Sequence, residues 1–186
     1  SMLDTKYFIV PGQQGPMVQQ NPMAFGAAWL VKHVNYVNDA AAEMKALSST
    51  SLYDTAIVQK SFQTGIAAAP QWDSTAYIRL EKYNNDDITY TVNAPKPQFA
   101  VLSEVYFSRG WNAYADGKLV PIVKTDYVLR GVALPAGTKK LELKFEPQSY
   151  KMGSTITTLT SGIILLLLAL GVFFEFFRKK KTEEAA

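Results

Sequence analysis

Apolar and polar residues alternate in short runs over most of the chain, and the runs stop at glycine, proline or clustered polar residues. "KYFIV" at 6–10, "AWLVKHVNYV" at 28–37, "TAIVQK" at 55–60, "AYIRLEKY" at 76–83, "DITYTV" at 87–92 and "FAVLSEVYF" at 99–107 have the β-branched and aromatic composition of strands. "WNAYA" at 111–115, "KLVPIV" at 118–123, "YVLRGVAL" at 127–134 and "KKLELKFE" at 139–146 continue the series. Against this period of two, "AAAEMKALSS" is predicted to be one short helix, because alanine, methionine and leucine favour that state and Asn38 or Asp39 can cap it. Residues 11–27, "PGQQGPMVQQNPMAFGA", read as a loop, since proline and glycine recur there without a period. Short strands in succession predict a mainly β fold, an antiparallel β-sandwich of jelly-roll or immunoglobulin-like type with that one helix.

Two hairpins are legible. The alternation from Tyr77 to Val92 continues through "NNDD", which reads as a solvated turn and lacks the alternating ligands and distal glutamate of a calcium loop. Asp116 and Gly117 suit the two central positions of a type I′ turn, which would set Ala115 against Lys118, Tyr114 against Leu119, Ala113 against Val120, Asn112 against Pro121 and Trp111 against Ile122. Trp111 then shares a face with Ala113, Val120 and Ile122, the company of a core aromatic. Tyr114 lies on the other face with Asn112, Leu119, Pro121 and Val123.

The pattern changes at Ile156. "ITTLTSGIILLLLALGVFFEFF" runs to Phe177, 22 residues with Glu175 as the one formal charge. At roughly 1.5 Å per residue it reaches about 33 Å, close to the hydrocarbon thickness of a bilayer. It is too long and too uniformly apolar for a core helix, and it sits at the wrong end for a signal sequence. Glu175 is one turn from "RKKK", so it reads as a carboxylate at the lipid–water boundary. The expected organisation is a β-rich domain over 1–152, a single transmembrane helix over 153–177 and a basic tail over 178–186.

Composition narrows the chemistry. The 186 residues are 48% hydrophobic and 19% charged, enough for one domain with a real core. With no cysteine there is no disulfide, thiolate nucleophile or cysteine zinc site, and His33 is the single histidine, so no cofactor or metal is expected. A net charge of +3, part of it in the tail, is not the basic stripe of a nucleic-acid binder. Basic residues tie at four on each side of the span, but Arg178, Lys179, Lys180 and Lys181 are contiguous, which favours a cytoplasmic tail and an extracytoplasmic, periplasmic β domain in the inner membrane. Residues 1–30 hold no export signal, so either the domain faces the cytoplasm on a tail anchor or earlier helices of a longer protein export it.

"EVYFSRGWNAYADGKLVPIVKTDYVLRGVALPAGTKKLELKFEPQSYKMG", together with the apolar helix after it, resembles the C-terminal part of the YfhO-like bacterial membrane protein family. "MLDTKYFIV" at 2–10, "NPMAFGAAWLV" at 21–31 and "YNNDDITYTVNA" at 83–94 resemble it too, in the form of Bacteroidetes-type members. The resemblance implies a large polytopic protein similar to GT-C glycosyltransferases, with its catalytic acids between early membrane helices that this sequence does not contain. It implies that these residues are the non-catalytic outer domain and last span, with upstream helices of the same parent, membrane lipid and envelope polysaccharide or lipid-linked sugar as partners. Asp116 falls on a turn position of the pattern and is not a catalyst.

The competing expectation is a membrane-tethered carbohydrate-binding or protein-interaction module with no enzymatic activity. Tyr114 with Asn112 beside it, and Trp72 in "PQWDS", are the candidate sugar-binding residues, because an aromatic face next to an amide can pack on a pyranose. Trp111 reads as core, and Trp29, like Trp72, reads more simply as a core or loop anchor. Glu104, Asp126, Glu142 and Glu146 lie on or beside strands and would have to oppose one another across a cleft to serve a glycosidase. Random surface placement accounts for them more simply.

Overall fold

A computed structural model describes residues 1–12 and 15–183, with side chains for all of these except Lys151 and residues 175–183. The expectations for Glu175 and the basic tail therefore lie outside the described side chains. The chain forms two compact units, 1–145 and 146 onward. The first is almost entirely β, as its alternation predicts.

Among the described residues thirteen strands build it: β1 (Tyr7–Gly12), β2 (Gly15–Gln20), β3 (Ala28–Val31), β4 (His33–Val37), β5 (Thr55–Gln59), β6 (Tyr77–Tyr83), β7 (Asp87–Asn93), β8 (Gln98–Val105), β9 (Trp111–Ala115), β10 (Lys118–Val120), β11 (Ile122–Thr125), β12 (Leu129–Leu134) and β13 (Lys140–Phe145). They make a five-stranded sheet in the order β10-β9-β13-β7-β6, a six-stranded sheet in the order β3-β8-β12-β11-β5-β4, and the separate hairpin β1-β2. All pairings are antiparallel except β4 with β5.

Central strands of the six-stranded sheet are buried on both faces, which explains why "FAVL" is an unbroken apolar run. On one face, Ala100, Leu102, Val132 and Leu134 meet Ile88, Tyr90, Val92, Leu141 and Leu143 of the five-stranded sheet. On the other, Phe99, Val101, Leu129, Val123, Val58, Trp29 and Val31 form a second core, with Val34 and Tyr36 packed on it. Gly131 lies on this second side, where a Cβ would stand 2.4 Å from the Phe99 ring. A glycine there is what lets the phenylalanine fill the space.

Every strand of the six-stranded sheet contributes to the second core, and connectivity gives the reason. β3 and β4 are the two edges of that sheet, yet Lys32 alone separates them. Laid flat, six strands would hold their edges about 24 Å apart, whereas one linking residue allows no more than about 8 Å at that corner. The sheet must curl until its edges meet. The single strand expected over 28–37 is thus one bent run that serves both edges.

Two other expectations change. Residues 11–27 are not all loop: β1 and β2 pair through Pro11 opposite Pro16, which a two-stranded ribbon permits because each strand has a free edge. The hairpin at 111–123 has the foreseen type I′ turn, with φ of 47° at Asp116 and 79° at Gly117. Its foreseen register holds for Ala115, Tyr114 and Ala113. Beyond Val120 it stops, since Pro121 has no N–H for the ladder and Ile122 begins a strand of the other sheet. Trp111 therefore pairs with Phe145 rather than Ile122.

The short helix α1 (Ala40–Leu47) starts where expected: Asp39 is its cap, its Oδ1 accepting from the Ala42 amide at 2.8 Å. In the second unit, helix α2 (Gln148–Glu183) includes, over Gln148–Phe174, a segment long and apolar enough overall to cross a membrane, and its most apolar window is unburied. It starts ahead of residue 153 because the polar "QSYKMGST" is helical as well.

Candidate functional site

Edge strand β3 lies against edge strand β6, and a cleft of about 270 Å³ opens beside them. Its aromatic wall starts at Trp29, which is buried and donates through Nε1 to the Leu52 carbonyl at 3.0 Å. Phe25 stands edge-on to Trp29 at 5.0 Å and to Tyr53 at 5.4 Å. Trp72 and Tyr77 also line the cleft. Trp72 is 55% exposed, Tyr53 59% and Tyr77 40%, a concentration of bare aromatic surface. The polar element is an ion pair, Lys32 Nζ to Asp54 Oδ1 at 2.7 Å, and the same ammonium sits 4.8 Å from the centre of the Trp72 ring. Hydrogen bonding from Lys32 holds the Asp54 carboxyl below its ordinary value.

The other sequence candidates sit elsewhere. Asn112 lines a second cleft of about 320 Å³ with Tyr106, Phe107, Trp111 and Leu119. Tyr114 is two residues on, on the same face of β9, half-buried, with the Lys144 ammonium 5.6 Å from its ring centre and Glu142 opposite in register. Asn112 and Tyr114 thus share a sheet face, while Trp72 belongs to a different cleft. Trp111 packs on the core between the sheets, as its face of the hairpin predicts, with the Phe145 ring at 5.4 Å and the Arg130 guanidinium at 4.3 Å from its ring centre. Arg130 is itself buried, its Nε donating to the Val105 carbonyl at 3.0 Å, and burial pulls its pKa down against the raising influence of Glu104.

The carboxylates considered for hydrolysis are drawn into separate environments. Glu142 is bracketed by Lys140 at 3.1 Å and Lys144 at 3.4 Å. Glu104 acts on Arg130, Tyr83 and Tyr90. Asp126 is fully buried in the β11–β12 turn, where its Oδ1 accepts from the Ile57 amide at 2.8 Å and its Oδ2 has no partner. Burial pushes the Asp126 carboxyl up to about 7, the Ile57 hydrogen bond opposes that, and the charge of Glu43 adds to it. Glu43, a residue the sequence did not single out, is buried on α1 and ties the turn to the helix: Oε1 accepts from the Tyr127 amide and Oε2 from Gln59 Nε2, both at 2.7 Å. Asp116 holds backbone, accepting from the amides of Lys139 and Lys140. Among the described residues, no three His, Asp or Glu side chains gather as a metal would need.

Comparison with known proteins agrees with the helix. The model of the family described as "Bacterial membrane protein YfhO" matches residues 41–157. The uncharacterized protein YfhO of Bacillus subtilis (strain 168) is 26% identical over 130 residues, which is 70% of this chain but 14% of that protein. No solved structure matches the chain. With a match over more than half its length and an apolar helix fit to cross a bilayer, the chain is a membrane protein and belongs to the YfhO family.

Proposed function

We propose that these residues form the non-catalytic, extracytoplasmic domain and last membrane span of a polytopic inner-membrane glycosyltransferase acting on cell-envelope polysaccharide or lipid-linked sugar. The observation that carries this reading is the joining of a β unit ending at Phe145 to a helix long and apolar enough to cross a membrane. The scattered, structurally engaged carboxylates support a role without chemistry for this part. On this reading any chemistry lies in other parts of the same polytopic protein.

The test is topological. Lys118 is exposed beside the hairpin turn, and the chain has no native thiol. Lys118→Cys is expected to react with an impermeant maleimide in intact cells; reaction only after lysis overturns the outward orientation. A second reading, a tethered interaction module without enzymatic activity, is favoured by the β1–β2 hairpin. Ile9 and Val18 face each other on it at 77% and 72% exposure. Envelope sugar transfer that is unchanged when the whole protein is removed would favour it.

A further inference from the structure

The cleft at Trp72 is a built polar–aromatic site that no folding requirement explains. Trp29 and Phe25 serve the second core, but Trp72, Tyr77 and Tyr53 leave large ring surfaces in water, where burying each would stabilise the fold. The ion pair among them is equally unneeded for stability, since half-exposed pairs contribute little. Bare aromatic faces around a few directed polar groups describe a ligand site, and about 270 Å³ suits one small ring system better than a drug-sized molecule.

We infer that this cleft is a saccharide subsite for a neutral pyranoside, with Trp72 and Tyr77 as stacking faces and Lys32 with Asp54 reading two vicinal hydroxyls. One hydroxyl donates to the Asp54 carboxylate and its neighbour accepts from the Lys32 ammonium, the two protein groups being 2.7 Å apart. The pair selects by charge: Asp54 disfavours an anionic ligand, Lys32 a cationic one, and a polyol satisfies both. Sugar C–H groups carry a slight positive charge and suit the exposed ring surface of Trp72 that the Lys32 ammonium, 4.8 Å from the ring centre, leaves uncovered. Tyr77 is steadied by the Arg79 guanidinium 4.9 Å from its ring centre. The inference rests on the envelope reading for where glycan is met, and on the cleft alone for how it is held.

The experiment uses the whole chain in lauryldimethylamine oxide micelles, a detergent without a sugar head group. Methyl β-glucopyranoside, methyl β-galactopyranoside and chitobiose are the probes, read by saturation-transfer NMR and tryptophan fluorescence. At least one is expected to bind, with Trp72→Ala and Asp54→Asn each weakening binding at least about tenfold and Trp72→Phe restoring most of it. Both Trp72 and Asp54 are partly exposed, so the variants are expected to fold. No binding of any probe, or binding unchanged in both loss variants, overturns the inference; binding lost in Trp72→Ala alone overturns the assignment of the ion pair. Sugar binding by a domain labelled only after lysis would keep the subsite and remove the outer-domain reading, and the reverse pattern would do the opposite.

Discussion

Asp126→Asn is the perturbation whose sign is most sharply set. The Asp126 carboxyl is fully buried with one oxygen unpartnered, and its value of about 7 lies well above the 3.8 of a free aspartate. The folded chain therefore holds a proton that the unfolded chain releases. The stability this contributes is complete below pH 4 and is lost as pH rises through about 7. At about 1.4 kcal/mol per pH unit, the interval from pH 5 to pH 7 removes up to about 3 kcal/mol. Asparagine keeps the oxygen that accepts from the Ile57 amide, tolerates the backbone φ of 47°, and cannot ionise. Thermal unfolding of the full chain in detergent, followed by circular dichroism at pH 5 and pH 8, should show the native protein weakening with pH and Asp126→Asn nearly unchanged. The two should be similar at pH 5, with the variant more stable at pH 8. Native stability that is flat or rising between those values refutes the reasoning.

Three further outcomes test the packing and the anchor. Gly131→Ala sets a methyl group against the Phe99 ring and should cost about 1–3 kcal/mol, read as a lower denaturant midpoint. Asp116→Ala leaves the amides of Lys139 and Lys140 without their acceptor and puts alanine at a φ of 47°, so a loss of about 1–3 kcal/mol is expected in the same assay. Leu166→Arg places a cation near the middle of the apolar stretch at about 2.5–3.5 kcal/mol, and should move this 186-residue chain, expressed by itself, into the carbonate-extractable fraction; unaltered membrane retention would contradict a spanning helix.

Local chemistry was readable from the residues; long-range geometry was not. Asp116-Gly117 announced its turn because φ above zero at both positions is a local demand. Asp39 announced α1 for the same kind of reason. The sequence pattern carried the ladder through Pro121 to Ile122, because nothing nearby says that the chain changes sheets there. Lys32 looked like an ordinary polar position in an alternating strand, and its place between two sheet edges depends on partners as distant as Thr55 and Leu102. The candidate site divides likewise: Trp72 stood out as an isolated tryptophan in a loop, whereas Lys32, Tyr53 and Asp54 reach it from about 20 to 40 positions away. Asp126 read as one more surface carboxylate because burial of a turn beneath a helix leaves no mark in the turn itself.

The one-residue link at Lys32 also governs how this domain can fail. A flexible insert there would free β3 and β4 from each other, leaving the two edge strands less constrained and more open to pairing with other chains. Evolution and engineering alike should find that spot closed to insertions, although it lies on the surface and carries a solvent-reaching lysine.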